Sequence, residues 1–109
     1  MYVVSRVLSF EKGIDDNVLD QMKKPSIMKH FKGFIRRDVL LNVKNPDKDI
    51  VRILVYWESK EDYYRFEGSK EHIMLHKDRS NPHHQKPVGL IDMSKEVFTL
   101  LQSEMYEPK

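Results

Sequence analysis

A chain of 109 residues, 39% hydrophobic and 33% charged, is long enough for one domain with a real core and carries a well-charged surface. The net charge of +2 comes from dispersed basic residues, which leaves no patch or motif for nucleic acid, and the lack of cysteine excludes disulfides, thiolate metal sites and cysteine nucleophiles. No apolar run reaches the length of a membrane span, and Met1 leads straight into a strand-like pattern, so a single cytoplasmic domain over 1–109 is expected.

Residues 2–10, YVVSRVLSF, alternate in the manner of a strand. After Gly13, Ile14, Val18 and Met22 recur every four residues. Asp15 and Asp16 fall in the first turn of that helix and Lys23 and Lys24 in the last, as the helix dipole prefers. Pro25 interrupts the helix, and a short helical piece is expected through SIMKHF, ending at Gly33. Two β-rich runs, 34–43 and 49–57, flank KNPDK, whose Asn45, Pro46 and Asp47 signal a hairpin. ESKEDYYRF returns to helix with Ser59 as N-cap and Asp62 in capping-box position. Gly68 ends it, and Ser69 caps a further short helix, KEHIMLHK. Residues 78–94 read as a polar loop, and 96–106 as the last strand.

The order β-α-β-β-α-β is ferredoxin-like: an α+β fold with a four-stranded antiparallel sheet and helices on one face. In the 49–57 strand, Val51, Ile53, Val55 and Trp57 lie on one face and Ile50, Leu54 and Tyr56 on the other. Helices cover only one face of a single sheet, so a second copy of the chain is expected over the other, giving a homodimer.

Four of the five histidines, His72, His76, His83 and His84, fall within a short span. His72 and His76 are spaced to reach one metal from one helix face, yet no HExxH glutamate lies between them, and solvent-facing histidines are the simpler reading. His76 alone fits a different role, the single axial imidazole of a haem, with Ile73, Phe66 and Met74 near it in sequence and Val4, Arg6 and Leu8 on the facing sheet. Spacing alone favours plain helix-on-sheet core for that apolar group. Arg6 is a cation at a central strand position. It must be paired, snorkelling or facing a ligand cavity, where it could hold a carboxylate. Tyr63 and Tyr64 read as packing plus one exposed hydroxyl, and no phosphate loop, GxSxG elbow or DxDxDG loop occurs.

Across nearly its whole length the chain resembles the antibiotic-biosynthesis-monooxygenase (ABM) superfamily of dimeric α+β barrels, and within it the IsdG-like haem-degrading monooxygenases. The resemblance rests on the early EKG, on KGF opening the second strand, on the junction VYWESKEDYYRF and on SKEHIMLHK. It implies a dimeric barrel and haem as both cofactor and substrate. It also implies His76 as iron ligand, with Phe66 lining the pocket; Ile73, on the same helix face as His76, is the further residue expected against the haem. Where those enzymes carry a haem-distorting tryptophan this chain has Phe66, and where they carry an asparagine in the first strand it has Arg6. A haem-binding monooxygenase with Arg6, Phe66 and His76 at its site is therefore the first expectation. The alternatives are a cofactor-independent ABM oxygenase acting on a small aromatic or quinone-like substrate, and a non-catalytic small-molecule sensor.

Overall fold

The computed structural model describes residues 1–77 and 86–109, except for the side chains of His76 and Lys77. The elements run β1 (Tyr2–Glu11), α1 (Asp16–Lys23), a 3₁₀ turn (Ile27–His30), β2 (Phe34–Asn42), β3 (Lys48–Trp57), α2 (Lys60–Glu67), α3 (Lys70–Lys77) and β4 (Leu90–Thr99). The four strands form one antiparallel sheet in the order β2-β3-β1-β4, the ferredoxin-like arrangement.

One face of the sheet packs on the helices, and its core falls into two clusters. Val4, Val55, Trp57, Tyr63 and Phe66 make the first; Leu8, Phe10, Val18 and Val51 make the second. Phe10, Val51 and Trp57 are wholly buried, each contributing roughly 1.5–3 kcal/mol by area removed from water. Arg6 is the β1 residue between the two clusters on this face, because Val4 and Leu8 flank it at spacing two.

Two fastenings fix the loops. Asp49, at the start of β3, is 2% exposed and accepts from Lys12 Nζ at 2.8 Å, Gly13 N at 2.9 Å and Ile14 N at 3.0 Å. The EKG turn between β1 and α1 is thereby pinned, and those donors hold the Asp49 carboxyl below its ordinary range. At the other end of the sheet Ser59 caps α2, accepting from Asp62 N at 3.2 Å and donating to Asp62 Oδ2 at 2.8 Å. Asp62 in turn lies against Gly33, whose carbonyl accepts from Glu58 N at 2.8 Å. KGF and the WESKED junction are therefore one structural unit.

The last strand differs from the expectation. It spans Leu90–Thr99 rather than 96–106, so 90–94 leave the expected loop, and 100–109 follow the strand without regular structure. The cause is pairing. Gly89 enters at φ +82°, and β4 then matches β1 from Phe10↔Leu90 to Tyr2↔Thr99, with a register shift after Ser9. Beyond Tyr2↔Thr99 one more backbone bond forms, from Leu100 N to Met1 O at 2.9 Å, and there β1 has run out of chain to pair. The tail leaves Leu101, Met105 and Tyr106 exposed, and the radius of gyration is 15.6 Å, against about 13 Å for a compact chain of this length.

Gly33 and Gly13 both have positive φ, but only at Gly33 would a Cβ meet Asp62, at 2.2 Å. Gly13→Ala is expected to cost about 1–2 kcal/mol, the left-handed strain alone. Gly33→Ala should cost more, about 3 kcal/mol or above, because the α2 cap must also move. Urea unfolding of the two variants checks the ranking.

Candidate functional site

On the helix side of the sheet, between the two core clusters, five polar side chains from four elements meet. Arg6 comes from β1, Tyr63 and Glu67 from α2, His72 from α3 and Lys95 from β4. Tyr63 and Glu67 are one helical turn apart, so α2 presents both together. The Ser59 cap and Gly68, which closes the helix by donating to Tyr64 O, set the helix that carries them. Ser69 Oγ accepts from His72 N at 3.1 Å and starts α3 with His72 in its first turn.

Glu67 is the hub. Its Oε1 accepts from the Tyr63 hydroxyl at 2.5 Å, its Oε2 lies 3.0 Å from His72 Nε2, and Arg6 Nη2 stands 3.9 Å from Oε1. Lys95 Nζ donates to the Tyr63 oxygen at 2.6 Å and also sits 5.1 Å from the ring centroid. Burial alone would raise the Glu67 carboxyl. The Tyr63 hydroxyl and the charges of His72, Lys95 and Arg6 outweigh it and hold Glu67 below its ordinary value of 4.5. Burial, then the hydrogen bond to Glu67 and its charge, push the Tyr63 phenol well above its ordinary range.

Of the residues expected at a site, Arg6 is present and joins a helix acid, with its side chain still 41% exposed. A half-exposed pair at 3.9 Å contributes only about 0–1 kcal/mol, so fold stability gives little reason for a cation there. Phe66 is buried. It packs on Trp57 at 5.5 Å, on Phe31 at 4.9 Å and on the His72 ring at 4.6 Å, backing the polar cluster from the core side. Ile73 is 41% exposed on α3. His76 is in the last turn of α3, but its side chain lies outside the described residues, as do His83 and His84. His72 engages Glu67, and no group of three metal-ligating side chains forms among the described residues. Tyr63 is the buried member of the tyrosine pair and Tyr64 the exposed one.

Sequence reasoning missed Glu67 and Lys95 and took Tyr63 for packing. The Tyr63–Glu67 spacing on one helix was a readable signal. Lys95 was not, because its role depends on β4 pairing one residue against another: Lys95↔Arg6.

Beside the cluster part of the sheet is uncovered. Met93 pairs with Leu8 and Val97 with Val4, which puts both side chains on the helix side, yet they are 54% and 49% exposed. Along this face of β4 the exposed Met93 and Val97 thus flank Lys95, one on each side, with Arg6 opposite.

No family model matches the chain. Over 99 residues it is 29% identical to the heme-degrading monooxygenase HmoA of Bacillus subtilis, a match spanning 90% of this chain and 89% of that one. Among solved structures, one of a Bacillus cereus protein described as an antibiotic biosynthesis monooxygenase superposes with a TM-score of 0.79 at 23% identity, covering 99% of this chain and 98% of that one. The resemblance to the ABM superfamily and its IsdG-like branch stands. The ferredoxin-like fold is shared with MhuD, a heme degrader from Mycobacterium tuberculosis solved with two hemes bound in its active site (TM-score 0.69, 16% identity, 94% and 98% covered). It is shared as well with SnoaB, a cofactor-independent oxygenase from Streptomyces nogalater (TM-score 0.51, 13% identity, 94% and 97% covered). Proteins similar to this chain in sequence or in fold thus include both heme-degrading and cofactor-independent oxygenases. No helix among its described residues is long and apolar enough to cross a membrane.

Because Glu67 is held below its ordinary value, the folded state binds fewer protons than the unfolded one. Its contribution to stability is complete above pH 4.5 and is lost as pH falls through the lowered value. Glu67→Gln should flatten the acid limb of the stability profile below that pH, as measured by urea unfolding from pH 3 to 7. A limb as steep as wild type would assign the acid dependence to Asp49 and Asp62 instead, both also lowered.

Proposed function

We propose that this chain is a haem-binding monooxygenase of the IsdG-like kind, with haem as cofactor and substrate and the His76 imidazole as iron ligand. The observation that carries the reading is the exposure of Met93 and Val97 on either side of Lys95, with Arg6 opposite, on the same side of the sheet as α3. A planar apolar molecule bearing two carboxylates matches that surface, and an imidazole at the end of α3 supplies a suitable iron donor. Ile73 and Phe66 form the apolar backing, and Arg6 donates hydrogen bonds toward the bound group. Bound haem would supply the iron that activates oxygen for attack on the ring's own meso carbon, with electrons from an external donor. The chain's part is to hold the ring, to exclude water with the aromatic cluster behind it, and to hold a proton on the Tyr63 oxygen beside Glu67.

The same reading includes a second copy of the chain, and the cytoplasm as its compartment. The sheet face away from the helices carries Val3, Val7, Ile50, Leu54 and Tyr56 on its central strands, with half-exposed Leu40 and Phe98 on the outer ones. An apolar surface of that breadth suits a two-fold partner. Leu54→Glu should turn a dimer into a monomer in sedimentation equilibrium; a monomeric wild type would refute this part.

One observation favours a second reading, a cofactor-independent oxygenase for a small aromatic substrate. Phe66 is 5% exposed within the core, not free to press on a macrocycle, and the Tyr63–Glu67–His72 cluster is equipped to handle protons.

Haemin titration followed by absorbance separates the readings. Wild type should show a saturable, roughly stoichiometric Soret shift that His76→Ala abolishes, and a reductant under air should bleach the band. A wild type without a specific shift, or a mutant that shifts identically, rejects haem ligation by His76. Binding without bleaching indicates a non-catalytic binding protein.

A further inference from the structure

Arg6 and Lys95 are directly opposite each other on neighbouring antiparallel strands, and both side chains stand on the helix side of the sheet. Like charges in that relation repel and are normally selected against. Among the described residues the one carboxylate within ion-pair range of Arg6 is Glu67, and it is already committed: one oxygen takes the Tyr63 hydroxyl and the other meets His72. At 3.9 Å the guanidinium makes no hydrogen bond to it. Lys95 is aimed by the Tyr63 oxygen, which leaves the remaining ammonium hydrogens for another acceptor. Two aligned cations thus share one already occupied acid, with exposed Met93 and Val97 on either side of Lys95.

We propose that Arg6 and Lys95 form the seat for a carboxylate of an amphiphilic ligand whose apolar body lies along Met93 and Val97. The guanidinium fork takes the carboxylate through paired N–H donors, and Lys95, oriented by Tyr63, supplies the second charge. Glu67 is a positioning residue: through Tyr63 it fixes where the Lys95 ammonium sits. The inference concerns the ligand's charge and stands apart from haem. It holds equally for a porphyrin carboxylate or a small aromatic acid.

The test uses the full chain and metal-free probes. Uniformly ¹⁵N-labelled protein is titrated with 2-naphthoate and, separately, with its neutral isostere 2-naphthamide. Naphthoate should bind saturably and shift the Arg6 Nε–H signal and the amides of residues 93–97, with an affinity about tenfold or more above naphthamide. Arg6→Gln and Lys95→Gln should each remove about tenfold of that preference, and Arg6→Lys should restore part of it. Equal affinity for the two probes, no response along β4, or charge-removed variants that bind as wild type would overturn the proposal. The comparison on wild type decides even where a variant fails to fold. Because neither probe carries iron, a haemin titration that fails leaves this result unaffected.

Discussion

The contact on which the rest of this architecture depends is the close approach of Asp62 to Gly33. No side chain fits between them, since a Cβ on Gly33 would lie 2.2 Å from the Asp62 carboxyl carbon. The approach lets Asp62 bind the Ser59 hydroxyl and Arg65 while Gly33 binds the backbone of Glu58. The start of β2, the end of β3 and the first turn of α2 are thereby joined at one point. The donors around Asp62, Ser59 first and Arg65 next, keep it ionised and hold its carboxyl below the ordinary range. Fixing the first turn of α2 fixes its rotation, and rotation decides which residues face the sheet. Tyr63 and Phe66 go inward, and Glu67 is carried to Arg6 and His72.

β1 interrupts the apolar face there with Arg6, between the two clusters and opposite Ile53, which packs against both. The interruption has a stability cost that the exposed ion pair with Glu67 does little to offset. What it yields is a polar hub with both charge signs and a high-pKa phenol, next to apolar sheet that the helices leave open. Such a combination suits an amphiphilic ligand better than a purely apolar or purely ionic one. The fold supplies a rigid frame, and the proposed ligand site rests on a few side chains around Arg6.

Much of this was legible in the chain because it is local. Ser59, Asp62 and Gly68 announce α2, the Asp15–Asp16 pair marks the start of α1 (Asp15 as its cap rather than in its first turn), and the Asn45–Asp47 turn links β2 and β3 as its residues suggest. The motifs behind the family resemblance, EKG, KGF and WESKED, prove to be fasteners, which explains why they speak for the superfamily more than for one reaction. The boundary of β4 was not legible, since it follows from the length of β1 and a register shift, both non-local. Lys95 was hidden for the same reason. Arg6 stood out because a cation at a core-facing strand position breaks the alternation; its partners did not, because they come from three other elements.

The most direct measurement is a crystal structure of the chain grown with ferric haem. Iron should be bonded to the His76 imidazole, the ring should lie on the helix side of the sheet against Met93 and Val97, and a propionate should sit at Arg6 and Lys95. Haem on the opposite sheet face, iron held by another residue, or a ring with both propionates remote from Arg6 and Lys95 would contradict that arrangement.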